Sequence, residues 1–162
     1  MKGKALLCGI LLFGGLLGAA APAFAQSSPP PSEESKQVEA LVNKAAMLID
    51  RKGKAAFSEF RTKDSEWFHG TTYLFVYDMQ SRVLLNPAFP AREDTVVTGQ
   101  KDVNGKLFHD AMIWTAATKG SGWVDYMFPK PGQSQPSRKW TYVKAVKIDG
   151  VAGLVGSGFY PE

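Results

Sequence analysis

The residues whose types and spacing could do chemistry lie in the stretch 120–144, which is typical of two aromatic strands joined by a loop rich in Pro, Gly and Ser. Lys139 stands at the start of the second strand, among the rings of Trp140 and Tyr142. A cation that is placed among apolar rings can hold an anion by charge-assisted hydrogen bonds. The stretch therefore predicts a binding site for a small anion, with Lys139 as its anchor.

The same residues also have a purely structural interpretation. Lys139 could pair with Asp125 across the hairpin, because cross-strand pairs of opposite charge stabilise a sheet. Tyr126 and Tyr142 could be core rings whose hydroxyls reach the surface. Both interpretations stay open at this point.

Patterns of catalysis and metal binding are absent from the sequence. His69 and His109 are far apart and have no neighbouring ligand pattern, so we expect no metal and no cofactor, haem included. His109 and Asp110 are expected to be solvated helix residues. Residues 26–162 contain no cysteine, no nucleophile elbow and no evident acid/base pair, so we do not expect an enzyme.

The first 25 residues have the three parts of a secretory signal peptide. Lys2 and Lys4 precede an apolar segment, which ends in Ala23-Phe24-Ala25 before a polar Gln26. An uncleaved membrane anchor is the alternative, but the glycine content and the Ala-x-Ala ending favour cleavage after Ala25. We therefore expect a periplasmic or secreted protein with no membrane insertion after cleavage.

The remaining chain is the length of one domain. Residues 26–32, with three consecutive prolines, form a predicted linker, and residues 33–162 a predicted single domain. The net charge of +4 includes Lys2 and Lys4 of the signal segment, and the remaining basic residues are dispersed. Nucleic acid is therefore not an expected partner, since that would require a clustered basic face.

The elements that must position Lys139 follow from periodicity. A helix is predicted from Ser32, because apolar residues recur at steps of three and four from Val38 to Ile49. A strand is predicted over 71–79, followed by an antiparallel return at 83–85 and a long connection over 91–103. A second helix is predicted to be capped by Asp102 or Asn104 and to end at Gly120. A glycine-rich strand over 151–160 completes the chain.

Together these elements predict an α+β fold. A central antiparallel sheet of about five strands would carry the long amino-terminal helix on one face. The connection and the short helix would form a pocket on the other face, where Tyr126, Phe128 and Tyr142 are expected.

Five spaced segments carry a resemblance to a known family: LFVYDMQSRVLLNP, DVNGKLF, GSGWVDYMFPKPG, RKWTYVK and GSGFY. In this order they resemble the single-Cache type 2 (sCache_2) extracellular sensor domain, over nearly the whole chain after residue 32. The resemblance implies a PAS-like fold and ligand sensing in signal transduction and chemotaxis. It also implies that the ligand is a small organic acid.

The resemblance also assigns residues to the site. Tyr126 and Phe128 match the aromatic segment of the family, where Phe128 replaces a frequent tryptophan, and Lys139 and Tyr142 match the lysine and tyrosine of the next strand. Asn86 stands where the family commonly has histidine. The predicted ligand-binding set is Tyr77, Trp123, Tyr126, Phe128, Lys139 and Tyr142.

The function expected from these observations is a stand-alone ligand-binding module for a short organic acid. The sequence shows no transmembrane helix after the domain and no kinase region, so a separate membrane signalling protein is the expected partner. The alternative is a ligand-free structural or protein-interaction module with a Cache-like fold. An open cavity beside Lys139, or one filled by Met127 and Phe128, would distinguish the two.

Overall fold

The amino-terminal helix α1 (Glu33–Lys52) begins at a capping box in the computed structural model, which describes residues 28–162. The Ser32 hydroxyl accepts a hydrogen bond from Ser35 N, and the Ser35 hydroxyl accepts one from Ser32 N, so two otherwise orphaned helix donors are satisfied. Residues Val38 to Ile49 supply the predicted buried stripe. The predicted signal peptide lies outside the described residues.

Helix α1 ends at Gly53, where the backbone turns with φ +57°. A Cβ atom at this position would overlap the carboxylate of Asp149 in the β6–β7 turn, so a glycine is required on two grounds. A 3-10 turn (Gly53–Ala56) and the one-turn helix α2 (Phe57–Phe60) follow. The tight approach fixes the carboxyl end of α1 against the sheet.

Five strands form the central sheet in the spatial order β4-β3-β7-β6-β5, and every neighbouring pair is antiparallel. The bounds are β3 (Phe75–Asp78), β4 (Val83–Leu85), β5 (Ser121–Pro129), β6 (Pro136–Ile148) and β7 (Val151–Phe159). A separate small hairpin joins β1 (Phe68–His69) to β2 (Thr72–Tyr73). The predicted fold is confirmed, although the strand expected over 71–79 is divided at Leu74 into β2 and β3.

The long connection between β4 and the next helix contains one 3-10 turn (Pro90–Arg92) and runs beside β4. Helix α3 (Phe108–Lys119) follows and ends at Gly120, as predicted. Its predicted cap was wrong, because Leu107 precedes the helix and makes no side-chain cap. Asp102 instead accepts hydrogen bonds from Asn104 N and Lys106 N, and so closes a turn before α3.

The two faces of the sheet carry separate cores. One lies under α1 and includes Trp123 and Trp140. The other lies under α3 and the connection, and it includes Tyr77, Tyr126 and Val143. Because side chains alternate along a strand, consecutive residues of β5 and β6 belong to opposite cores.

Candidate functional site

Lys139 is fully buried, with 0% of its surface exposed, on the α3 face of β6. It pairs in register with Tyr126 of β5. Its Nζ atom donates a hydrogen bond to the Tyr73 hydroxyl at 2.8 Å and lies 5.1 Å from the centroid of the Tyr160 ring. The amino group is thus enclosed by aromatic side chains, which offer weak electrostatic stabilisation to a cation.

Burial lowers the pKa of Lys139 to about 7, because the apolar surroundings disfavour the charged form. Within residues 28–162, no carboxylate lies within ion-pair distance of its Nζ atom. Asp125, the alternative partner that the sequence suggested, pairs instead with Lys106 at 2.6 Å and with Arg138 at 3.1 Å. Asp125 faces the opposite side of the sheet, since it is opposite Trp140 in the register. The predicted pairing of Lys139 with Asp125 is therefore wrong.

Five rings surround the space next to Lys139, and we refer to them as the aromatic cluster: Tyr73, Phe89, Phe108, Tyr126 and Phe128. The ring of Phe108 stacks on Tyr126 with centroids 4.3 Å apart. The Tyr126 hydroxyl shares a hydrogen bond with Thr141 Oγ1 at 3.1 Å. Burial raises the pKa of Tyr73 and Tyr126, so both phenols stay protonated and can donate to an anion.

Tyr77 lies on the same face as the aromatic cluster but beside the imidazole of His109, with ring centroids 5.5 Å apart. It is buried, and burial raises its pKa. The structure therefore brings four of the six predicted residues to the α3 face: Tyr77, Tyr126, Phe128 and Lys139.

The structure does not bring Trp123 and Tyr142 to this site, so their predicted place in its lining is corrected. Both belong to the face that packs against α1. Trp123 Nε1 donates to Glu39 Oε1 at 2.8 Å, and the Tyr142 hydroxyl donates to Ser121 Oγ at 2.9 Å. The reason is the register of the hairpin, because Tyr126 opposite Lys139 places Trp123 opposite Tyr142 on the other face.

His109 was predicted to be solvated, but only 1% of its surface is exposed, because Phe108 and Tyr77 pack against it. Arg92 Nη2 lies 3.0 Å from its Nε2 atom. Burial first, and the positive charge of Arg92 second, lower the pKa of His109 to about 3. The imidazole is therefore neutral at physiological pH.

The sequence also missed Tyr73, Tyr160, Phe89 and Arg92 as residues near Lys139. Tyr73 could have been found, since it shares a strand face with Tyr77. Phe89 and Arg92 come from the irregular connection, where no periodicity indicates which side chains point inward. Their position becomes evident only once the connection is folded over the sheet.

The carboxyl end of the connection is pinned to β5 by Asp102. Its second oxygen accepts a hydrogen bond from Met127 N at 2.9 Å, in addition to the two bonds within its own turn. Although burial raises the pKa of Asp102, the three backbone donors together hold that pKa below its usual value. The backbone next to Tyr126 and Phe128 is thereby joined to the connection that covers them.

A separate cavity of about 310 Å³ lies on the other side of Tyr160, between α1 and the β1–β2 hairpin. Its lining includes Glu34 and Glu66 but neither lysine nor arginine. This electrostatic character is unfavourable for an acid ligand. The Lys139 region is the better candidate for anion binding.

Two further searches concern only residues 28–162. No group of three or more His, Cys, Asp or Glu side chains is arranged to hold a metal ion. None of the helices there is both long and apolar enough to cross a membrane.

A sheet of five antiparallel strands, a long helix on one face and an aromatic site under a connection on the other define the PAS-like class of sensor domains. The chain belongs to the Cache domain family, whose model matches residues 34–162. The predicted family is thus confirmed. The matching model is dCache_2, whereas the sequence pattern had indicated the sCache_2 subtype.

Similar proteins act in chemotaxis. The chain is 31% identical over 90 residues to the methyl-accepting chemotaxis protein McpP of Pseudomonas putida, a match covering 56% of this chain and 16% of that receptor. The structure is similar to a periplasmic sensor domain of a chemotaxis protein, with a TM-score of 0.70 and 29% identity over 80% of this chain and 95% of that one. The family and these relatives are sensor domains rather than enzymes.

A third likeness concerns the fold alone. A Cache chemosensory domain, solved to explain its recognition of carboxylic acids, superimposes with a TM-score of 0.68 at 24% identity, over 79% of this chain and 93% of that one.

Proposed function

We propose that this Cache domain binds a short organic acid at Lys139 and acts with a separate membrane signalling protein. The observation that carries the proposal is the fully buried Lys139 amino group, which has no carboxylate partner within residues 28–162. Buried cations are normally paired, because an isolated charge is costly to remove from water. A carboxylate ligand would supply the missing charge.

The surroundings of Lys139 suit a small acid with an apolar tail. The phenols of Tyr73 and Tyr126 can donate to a carboxylate, while Phe89, Phe108 and Phe128 can contact carbon atoms. Mostly apolar walls with a few convergent polar groups are typical of small-molecule sites. The carboxylic acid recognition of the structurally similar Cache domain agrees with this ligand class.

The partner and the compartment complete the proposal. The similar proteins are chemotaxis receptors and a periplasmic sensor domain, and the first 25 residues are typical of an export signal. We therefore place the binding event in the periplasm or outside the cell. A chemoreceptor-like membrane protein would receive the signal through contact with this domain.

A second candidate function, a ligand-free interaction module, is favoured by one observation. The rings of Tyr73, Phe128 and Tyr160 all lie within 6 Å of Lys139 Nζ and occupy the space that a ligand would need. In this case the buried lysine would have a structural role only. A binding measurement separates the two functions.

Isothermal titration calorimetry with acetate, propionate, butyrate and pyruvate is the decisive experiment. We expect at least one acid to bind, and Lys139→Met to weaken that binding by about tenfold or more, since a charge-assisted hydrogen bond is lost. Lys147→Met is the matched control, because Lys147 is an exposed lysine of the same strand. No binding by any acid, with a cooperative thermal melt, would favour the ligand-free module.

A further inference from the structure

Two buried nitrogen atoms near the aromatic cluster have no hydrogen-bond partner within residues 28–162: Arg92 Nε and His109 Nδ1. Arg92 belongs to the connection, and His109 to the first turn of α3. Buried polar groups in folded proteins are almost always hydrogen-bonded, so each exception requires an explanation. Binding of a ligand is one such explanation.

The protonation of both atoms follows from the geometry of the pair. Arg92 Nη2 lies 3.0 Å from His109 Nε2, and a guanidinium can only donate. His109 Nε2 is therefore the acceptor, and its single hydrogen is carried by Nδ1. The two unpartnered atoms are both N–H donors, so the group that would satisfy them is an acceptor.

The electrostatics of the pair favour an acceptor that carries negative charge. No carboxylate within residues 28–162 forms an ion pair with Arg92, and its neighbour Glu93 is engaged by Arg61 at 2.8 Å. His109 lies at the amino end of α3, where the helix dipole stabilises an anion. Gln100 Oε1 accepts from Arg92 Nη2 at 2.9 Å and holds the guanidinium in place.

Arg92 and Lys139 border the same ring. The guanidinium carbon of Arg92 lies 5.6 Å from the centroid of Phe128, and Lys139 Nζ lies 5.7 Å from that centroid. Two cationic groups therefore flank one part of the aromatic cluster. A short ligand with an acidic group at each end can contact both.

We propose that Arg92 and His109 form a second anion-binding point, so that the site takes a short dicarboxylate with one carboxylate at Lys139 and the other at this pair. The inference rests on the proposed function, because it presupposes that Lys139 binds the first carboxylate. It adds the ligand class. A monocarboxylate of equal length leaves the donors of Arg92 and His109 without a charged partner, and a dicarboxylate satisfies them.

Calorimetry with succinate and butyrate tests the proposal, because these acids have the same carbon chain and differ by one carboxylate. At a pH of about 6.5, where Lys139 is protonated, we expect succinate to bind about tenfold or more tightly than butyrate. Arg92→Leu is expected to abolish this preference and to leave butyrate binding unchanged. Arg51→Leu removes the same charge from the exposed end of α1, on the other face, and should keep the preference.

The outcomes separate this inference from the proposed function. Equal affinity for the two acids, or an undiminished preference in Arg92→Leu, overturns the dicarboxylate inference. Butyrate binding that is insensitive to Lys139→Met overturns the proposed function instead.

Nitrogen NMR of the wild-type His109 imidazole keeps the test valid if Arg92→Leu does not fold. Succinate should shift the Nδ1 resonance, and butyrate should not. An unshifted resonance at saturating succinate contradicts the proposal.

Discussion

The Lys139 amino group is held 2.8 Å from the hydroxyl of Tyr73 and 4.1 Å from the centroid of the same ring. The backbone of Tyr73 is itself fixed, because its carbonyl oxygen accepts a hydrogen bond from the Ser157 hydroxyl at 2.8 Å. A contact from β2, through β7, to β6 thus positions the one fully buried lysine that residues 28–162 contain. The stability of the protein should depend on this contact in a measurable way.

Replacement of Tyr73 by phenylalanine removes the acceptor of Lys139 and keeps the ring. We expect the free energy of unfolding to fall by about 1–3 kcal/mol near pH 6, because a buried donor loses its partner. Urea denaturation monitored by tryptophan fluorescence measures this change. Tyr142→Phe, which removes a hydroxyl on the opposite face, serves as the control and should not alter acid binding. An unchanged midpoint for Tyr73→Phe would show that the hydroxyl does not stabilise the lysine.

The pKa of Lys139 predicts a specific pH dependence of stability. Its folded-state value of about 7 is below the ordinary value of 10.5, so the unfolded chain binds more protons between these two pH values. Stability from this residue therefore rises with pH across that window, by up to about 1.4 kcal/mol per pH unit, and its cost is largest below pH 7.

Lys139→Met removes this titration. We expect the variant to be more stable than the wild type near pH 7 and the difference to shrink toward pH 10, as followed by urea denaturation across the pH series. Lys147→Met, at an exposed position of the same strand, should follow the wild type. A constant difference between Lys139→Met and the wild type at all pH values would contradict the lowered pKa.

Gly158 lies where β7 passes closest to β6. A Cβ atom there would overlap the Trp140 carbonyl oxygen and would crowd Thr141 and Lys139. Since backbone atoms cannot move aside without breaking the strand pairing, Gly158→Ala should destabilise the protein by about 1–3 kcal/mol. Differential scanning calorimetry measures the loss. Val151→Ala, at an exposed end of the same strand, should change stability by less than about 0.5 kcal/mol.

Asp102 should control how firmly the connection is closed over the aromatic cluster. Asp102→Ala removes three hydrogen bonds to backbone N–H groups, including the one from β5, so the connection should open more often. We expect faster limited proteolysis within residues 86–106 in the variant. Asn104→Ala is the control, because Asn104 contributes only its backbone N–H to this turn. Equal cleavage rates for Asp102→Ala and the wild type would contradict the proposed role of Asp102.

Much of the fold could be predicted because its signals are local. The stripe from Val38 to Ile49 has a helical period, and the alternation of Tyr73, Phe75 and Tyr77 with Leu74 and Val76 assigns each residue to the face that the structure gives it. Glycines close to other chain segments were also expected, and Gly156 and Gly158 lie against Phe75 and β6.

The composition of the site could be predicted only in part, because the register of a hairpin is not a local property. A loop that differs by one residue would exchange Tyr142 for Thr141 on the face of Lys139. The burial of His109 likewise depends on Arg92 and Tyr77, which are distant in sequence. Such contacts are fixed by the packing of the connection against the sheet.

Consecutive residues of β6 belong to different sides of the domain: Lys139 lies in the aromatic site, and Trp140 lies in the core beneath α1. A single peptide bond therefore joins the ligand-facing and helix-facing surfaces. Any shift of the backbone that accompanies a change in the partner of Lys139 also displaces Trp140. The sheet is thin enough that information about occupancy can cross it within one residue, with no dedicated hinge between the two surfaces.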